Sequence, residues 1–409
     1  METDRRGARG PVRRAERALA PDLARGSMLL LIALANIAGV VFSGAPGADM
    51  SPHGLERVVN LLMFTLVDAR AYPVFAIMFG YGLVQLSNRQ LAAGASEGAV
   101  RTVLLRRNAW LVAFGFAHAT LLYFGDFLGA YGIVGIVMTL LVLRRGERVH
   151  RIALLLWALS LAEVLVLGAL LARAWRGSSG TGTVATEHIN SFSAPSYGQS
   201  MHDRLAEWPA HTLSVLPFIM IVWLGALAAR RRVLEQPSQH LTLLRWTAVV
   251  GLGIAILGGL PIALLSAGAV QVDASTASLM SLLTGVAGMF AGPGYLAVFG
   301  LLAHRLMRTG RGPVVLALCA LGQRSLSGYL FQSAAWLVLL APYTLALGHR
   351  FGSPTYTALV LGALVWLASV FIASQLDRRG CRGPAEVLLR RLTYGPTSSR
   401  HSAESLANG

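Results

Sequence analysis

The stretch RRNAWLVAFGFAHATLLYFGDFLGAYGIVGIVMTLLVL, residues 106–143, decides the fold class. Asn108 to Phe124 holds no charged residue and a single histidine, His118, and Phe127 to Leu143 carries no charge at all. A helix of ~20 apolar residues crosses a bilayer core. The stretch therefore predicts a hairpin of two membrane-spanning helices that turns at Gly125-Asp126. Asp126 is placed to cap the second helix by accepting its free N–H groups. His118 falls roughly 9 Å below that turn at ~1.5 Å rise per residue. An imidazole and a carboxylate are costly to place in a membrane and so mark a functional site. In a catalytic reading the imidazole moves a proton or carries an acyl group, and the carboxylate orients it. In the alternative, His118 hydrogen-bonds a neighbouring helix and Asp126 is only a cap. Nothing in the sequence shows whether the two side chains touch.

Outward from the hairpin the same pattern repeats. The 409 residues are 55% hydrophobic and 13% charged, against about 25% charged for a soluble domain. Long uncharged runs recur, whereas barrel strands alternate apolar and polar residues. The expected fold is all-α, a polytopic transmembrane bundle of about ten spans. The first eight read as 27–43, 58–86, 108–124, 127–143, 152–172, 212–229, 246–269 and 275–303. A ninth lies within 314–347 and a tenth at 355–375. Asp68 and Arg70 interrupt the second, leaving a true span at 72–86. Pro261 is expected to kink its span. Gly292-Pro293-Gly294 and the polar patch Gly322–Ser325 are expected to break theirs. Residues 1–26 form a basic N-terminal segment, 27–375 the bundle, and 376–409 a basic tail. The one long hydrophilic loop is 173–211, rich in Gly, Ser and Thr.

Ten spans put both termini on one side, and arginine tests this independently. Segments 1–26, 87–107, 144–151, 230–245, 304–311 and 376–409 hold 28 of the 35 basic residues, all of them arginine. By the positive-inside rule this set is cytoplasmic. The Gly125-Asp126 turn and the 173–211 loop then face outward. The absence of lysine, with abundant Ala, Gly and Leu, fits a GC-rich bacterial genome. The expected location is the bacterial cytoplasmic (inner) membrane, crossed many times. The net charge of +16 sits between spans, so its partner is an anionic bilayer and no nucleic acid is expected. Cys319 and Cys381 lie on different segments without metal-ligand spacing, so neither disulfide nor metal is expected. No Walker A, Rossmann or metalloprotease motif occurs, and no bound cofactor is expected. The first apolar run lacks a small-residue cleavage site and reads as a retained helix.

Four stretches, in order, resemble one family, the YeiB-like bacterial inner-membrane proteins known as DUF418. Asp22-Leu-Ala-Arg25-Gly26 with Asn36 resembles its D-x-x-R-G…N-I. Phe75-Ala-Ile-Met-Phe-Gly80-Tyr-Gly82 is similar to L-F-S-x-L-F-G-x-G. Gly115-Phe-Ala-His118 with Gly125-Asp126-Phe-Leu128 and Tyr131 is similar to G-x-x-H…G-D-I-L…Y. Gly322 with Ser327-Gly-Tyr329-Leu-Phe-Gln332-Ser333 is similar to L-T-N-Y-L-x-Q-S. The tail from Arg382 to Gly395 also looks like the family's ending, with Val387 where the family has Trp. Ser327-Gly328 stands for its Thr-Asn and Ala76 for its Ser. The resemblance implies a membrane bundle whose family C-terminal half covers about 212–395. It also implies distant similarity to membrane acyltransferases, which move acyl groups from cytoplasmic acyl-CoA to extracytoplasmic sugars. The family has no agreed activity and has also been grouped with transport-associated proteins.

These readings define the candidate residues. His118 and Asp126 form the catalytic pair. Asp22 and Arg25, three apart on one helix face, hold a phosphate-bearing donor or only set the register of the first span. Arg324, Tyr329 and Gln332 fall on a broken helix that can line a cavity, and the resemblance adds Asn36 and Tyr131 to this donor pocket. Glu163, mid-membrane, is protonated or paired there and is a possible proton site. Two functions follow. One is acyl transfer from acyl-CoA, as donor substrate, to a small-molecule, glycan or lipid acceptor outside. The other is transport or transport support, for which interrupted helices and Glu163 speak.

Overall fold

The structure, a computed structural model, describes residues 18–394. The basic residues 1–17 and the chain from Gly395 onward lie outside the described residues.

Helix α1 (Leu19–Val41) starts at Leu19 rather than near Ser27. Pro21 is tolerated in a first turn, and Asp22 there complements the positive end of the helix. The Asp22–Gly26 motif is therefore part of α1 and not of a preceding segment. Helix α2 (Glu56–Leu62) continues through a π-helical turn, Met63–Val67, and breaks at Asp68–Arg70, where Ala69 adopts φ 56°. Helix α3 (Ala71–Ala92) follows. The loop expected at 87–107 is only a few residues long. Ser96 accepts from the N–H of Ala99 and starts α4 (Glu97–Leu121) a full three turns before Asn108.

Helix α5 (Leu128–Val137) ends in a π-helical turn, and α6 (Glu147–Trp175) follows. The expected 173–211 loop is largely structured. Strand β2 (Glu187–His188) pairs antiparallel with β1 (Gly44–Ala45). Then come α7 (Asn190–Ser193), α8 (Tyr197–Val215) and, through one 3₁₀ turn, α9 (Ile219–Arg230). Composition reads 197–211 as solvent loop because its polar residues are many. They recur at 204, 207, 208, 211 and 212, the i, i+3, i+4 spacing of one helix face, and that face turns inward.

Helix α10 (Leu241–Ser266) runs through Pro261. Helices α11 (Ala274–Gly288) and α12 (Ala291–Thr309) part at Met289-Phe290, so Gly292-Pro293-Gly294 opens α12 instead of interrupting a helix. Helices α13 (Pro313–Gly322) and α14 (Ser325–Leu340) meet at 83°, with Gln323-Arg324 at the corner. Helix α15 (Pro354–Arg378) and the amphipathic α16 (Pro384–Tyr394) complete the described chain.

Among the described residues the fold is all-α apart from that one small ribbon. Among the described residues seven helical runs are long and apolar enough to cross a membrane, eight when the α13–α14 pair counts as one. The hairpin helices are not in that set. Helix α4 carries Glu97, Arg101, Arg106 and Arg107 on its first half, and the apolar run 128–142 is short. Helix α1 stands at the centre, packed on α3, α12, α13, α14 and α15. Two of the crossings that shape the interior need glycine. A Cβ on Gly322 would lie 1.8 Å from the Asp22 carbonyl oxygen, and one on Gly26 2.0 Å from that of Leu318. Gly80 and Gly225 are matched in the same way against Val222 and Ile77. Lipid gives helices little hydrophobic drive to associate, so close backbone approach between small residues does much of that work.

Candidate functional site

Helices α4 and α5 approach most closely at Gly115, where a Cβ would lie 2.1 Å from the Gly129 nitrogen. One turn further along α4, His118 meets the loop that carries Asp126. The imidazole Nδ1 lies 2.9 Å from Asp126 Oδ1, and Asp126 Oδ2 accepts from the N–H of Gly129 at 2.7 Å. The carboxylate therefore caps α5 and binds His118 at once; the two readings of Asp126 are both realised. With Nδ1–H held by the carboxylate, Nε2 is the acceptor. It lies 2.8 Å from Ser333 Oγ on α14. His118, Asp126 and Ser333 are each at most 3% exposed. The Tyr329 ring stands 4.8 Å from the imidazole, centroid to centroid.

Tyr329 is also a wall of a cavity of about 710 Å³, within the range of small-molecule sites. Its deep end is aromatic, formed by Tyr72, Phe75, Phe79, Phe127, Tyr131 and Tyr329. Its other end carries Arg25, Arg89, Arg107 and Arg232 with Asp22, Glu235 and Glu386. These acids are engaged in part by the protein: Glu235 accepts from Tyr81 and Gln85, and Glu386 from Ser327 and two backbone N–H groups of α14. The Arg107 guanidinium lies 5.9 Å over the Phe79 ring. Along α4, Arg107 and His118 are roughly 16 Å apart at 1.5 Å per residue, so the cavity leads from a charged mouth toward the buried cluster.

The inward face of α8 closes the opposite side. Arg204 Nε–H donates to the Thr120 carbonyl at 2.9 Å, which ties α8 to the end of α4. The Trp208 ring packs on Gly129, and the His211 ring meets Phe127 edge-on at 5.2 Å. Glu207 Oε2, Trp208 Nε1, His211 Nε2, Thr212 Oγ1 and Thr120 Oγ1 are buried with no hydrogen-bond partner among the described residues. Buried polar atoms are ordinarily satisfied by protein or ordered water, so this face is suited to water or to ligand hydroxyls.

The structure sorts the sequence candidates. Asp22, Arg25, Tyr131 and Tyr329 line the cavity. Asn36 sits behind its wall, 3.5 Å from the Tyr72 hydroxyl, which donates to it. Gln332 turns its amide nitrogen to the Leu29 carbonyl at 3.4 Å. Arg324 does not line the cavity. Its guanidinium pairs with Asp377 at 3.2 Å and donates to the carbonyls of Ala320 and Cys381, which clamps the tail onto the α13–α14 corner. Glu163 lies on the exposed face of α6, away from both cavity and cluster. Sequence reasoning missed Ser333 as a chemical group, although its motif was read, because only tertiary packing brings it to His118. It also missed Arg89, Arg107 and Arg232, which were read only as topology signals, and His211 and Trp208, which were assigned to a loop. His211 carried a usable signal, the helical spacing 204-207-208-211-212.

Residues 228–396 match the family model described as "Protein of unknown function (DUF418)". The chain is 28% identical over 359 residues to the uncharacterized protein YxaH of Bacillus subtilis (strain 168), covering 82% of this chain and 81% of that one. It is 26% identical over 411 residues to the uncharacterized protein YeiB of Escherichia coli (strain K12), covering 95% of this chain and 100% of that one. An uncharacterized 39.9 kDa protein in the amylase 3′ region of Bacillus acidopullulyticus is 34% identical over 128 residues, 31% of this chain and 35% of that one. The matched region contains α14 with Tyr329 and Ser333, the Arg324 corner and the Glu386 cap. The motifs, the helical bundle and these matches make the chain similar to the YeiB-like DUF418 proteins, with the family model itself matching residues 228–396.

Proposed function

We propose that the protein transfers an acyl group from cytoplasmic acyl-CoA to a hydroxyl acceptor on the other side of the membrane. The observation that carries this reading is His118, held between Asp126 and Ser333 behind the deep wall of the arginine-mouthed cavity. Arginine forks bind phosphate bidentately, and four of them ring the mouth on the arginine-rich side of the chain. The aromatic interior suits the arm that joins a nucleotide to its thioester. His118 Nε2, with its tautomer fixed by Asp126, is a general base for a hydroxyl. The unsatisfied face of α8 offers the acceptor its hydrogen bonds from the opposite side.

The test is thermal unfolding of the purified protein with acetyl-CoA, against free CoA and ATP. A ligand of the folded state at a hundredfold excess over its Kd stabilises by about 2.7 kcal/mol. Acetyl-CoA should raise the Tm beyond ATP, and His118→Ala should abolish thiol release while keeping that shift. A fully active His118→Ala protein would sink these roles.

A second reading, solute transport, draws on the helix breaks at 68–70 and 323–324, since interrupted helices line many transport sites. It loses its proton site, because Glu163 faces outward from α6. Counterflow of a labelled solute in liposomes, with no response to acyl-CoA, would favour it.

A further inference from the structure

Several buried hydroxyls of this protein are satisfied within their own helix. Thr65, Thr139, Ser369 and Thr393 each donate to a carbonyl of their own helix, at 2.6 to 2.7 Å. That back-bond is the cheap way to satisfy a hydroxyl where there is no water. Ser333 departs from it. The carbonyl one turn back, on Tyr329, is 3.4 Å away, while His118 Nε2 is at 2.8 Å. His118 Nε2 is therefore the nearer acceptor for its proton, and its helix carbonyl is the poorer partner. The opposite ring nitrogen faces the carboxylate of Asp126 at 2.9 Å. The three groups come from three separate places, α14, α4 and the loop before α5. His118 and Ser333 are 215 positions apart, so the arrangement is not a local accident of one helix.

We propose that Ser333 is an acyl-accepting nucleophile, so that transfer proceeds through a covalent ester on the protein. The proposal rests on the acyl-transfer reading of the same site. Serine, histidine and aspartate joined in this order, through opposite ring nitrogens, make an activated hydroxyl. In the first half, Ser333 Oγ attacks the thioester carbonyl carbon. Its proton passes to His118 Nε2, the C–S bond breaks, and the proton goes on to the leaving sulfur as free thiol. In the second half, an acceptor hydroxyl gives its proton to Nε2 and attacks the ester carbonyl. The C–O bond to Ser333 breaks, and the proton returns to Oγ. No oxidant or reductant is needed. Tyr329, one turn before Ser333 and a wall of the cavity, is the side chain that must swing for the thioester to reach Oγ. Splitting the transfer in two lets donor and acceptor visit the buried cluster in turn from opposite ends of the bundle.

The experiment uses the purified full chain and two reagents. A fluorophosphonate, which phosphonylates activated serines and needs no acyl donor, is followed by peptide mapping. Acetyl-CoA is followed by acid quench and intact mass. Ser333 should be the labelled residue. Labelling should be lost in Ser333→Ala and His118→Ala, and acetyl-CoA should both protect Ser333 and leave one acetyl ester on it. Thiol release by Ser333→Ala should fall by up to about a millionfold with an unchanged melting curve, whereas Ser333→Cys, which keeps a nucleophile, should be acylated as a thioester. Labelling of Ser333 without protection or acetylation by acetyl-CoA would uphold the nucleophile and discard acyl-CoA as donor. Unlabelled Ser333, with wild-type thiol release from a folded Ser333→Ala protein, would overturn the proposal and leave His118 acting on the acceptor directly.

Discussion

Ser333 and His118 stand 215 positions apart in the chain and 2.8 Å apart in the fold. The hydrogen bond between them joins α14 to α4, and Asp126 completes it from the far side of the ring. Everything proposed for this protein depends on that convergence and on the cavity that reaches it from the arginine-rich side.

Asp126 does two jobs that substitution can separate. Its Oδ1 faces His118, and its Oδ2 caps α5 through Gly129. Asp126→Asn keeps an oxygen for the cap, but an amide cannot hold the imidazole in the same tautomer. Thiol release should fall by up to about ten-thousandfold while the melting temperature barely moves. Asp126→Ala should lose the cap as well, a cost of about 1 kcal/mol. Paired melting curves and thiol-release assays on the two variants check this.

Gly322 has no room for a methyl group. A Cβ there would sit 1.8 Å from the backbone oxygen of Asp22, and backbone cannot rotate aside. Gly322→Ala should push α1 from α13, destabilise by about 1–3 kcal/mol and disturb the cavity mouth at Asp22. Gly98, with nothing within 4 Å of its notional Cβ, is the control. Gly98→Ala should be neutral or slightly stabilising, because alanine is the better helix former. Melting temperatures in one detergent decide the matter.

Arg324 holds the tail. Its partners are Asp377 and the Cys381 carbonyl, and just beyond them Glu386 caps α14 and Leu389 lines the cavity. Arg324→Gln should loosen α16 without emptying the catalytic cluster. Trypsin should then cut at Arg379 or Arg382 several-fold faster, and the KM for the donor should rise more than kcat falls. Equal proteolysis of wild type and variant would mean that the tail is held elsewhere.

Asp273 links acidity to the loop that carries Ser178. It accepts from the hydroxyls of Ser178 and Ser275 and from the N–H of Thr276, and these bonds hold its carboxyl well below the ordinary 3.8. A folded value below the unfolded one means stability that is present above about pH 4 and lost as pH falls toward the folded value. Asp273→Asn should therefore melt below wild type at pH 6, and the gap should narrow as the pH drops under 4. A gap independent of pH would show that the charged form is not what the loop binds.

Much of the fold was legible in the chain because a bilayer imposes a coarse rule: long uncharged runs must be helices. The order of the apolar helices and the breaks at Asp68–Arg70 and Gln323-Arg324 followed from apolar runs and charges. Errors clustered where a helix is polar. Helix α8 up to His211 was taken for loop, because hydropathy averages over the face that Arg204, Glu207 and His211 turn inward. The first half of α4 was taken for loop, because its arginines mask a helix that Ser96 begins.

The candidate site divides the same way. Sequence by itself determined that His118 and Asp126 lie at one end of a hairpin, since eight residues of helix and turn fix that distance, and that Asp22 and Arg25 share a helix face. Only the tertiary structure decided that His118 meets Asp126 on one side and Ser333 on the other, that Arg324 clamps a tail, and that Glu163 points away from the interior. Helical periodicity tells which residues share a face. It carries no information on which face of which helix lies opposite, and that is set by the backbone approaches that Gly26, Gly115 and Gly322 permit.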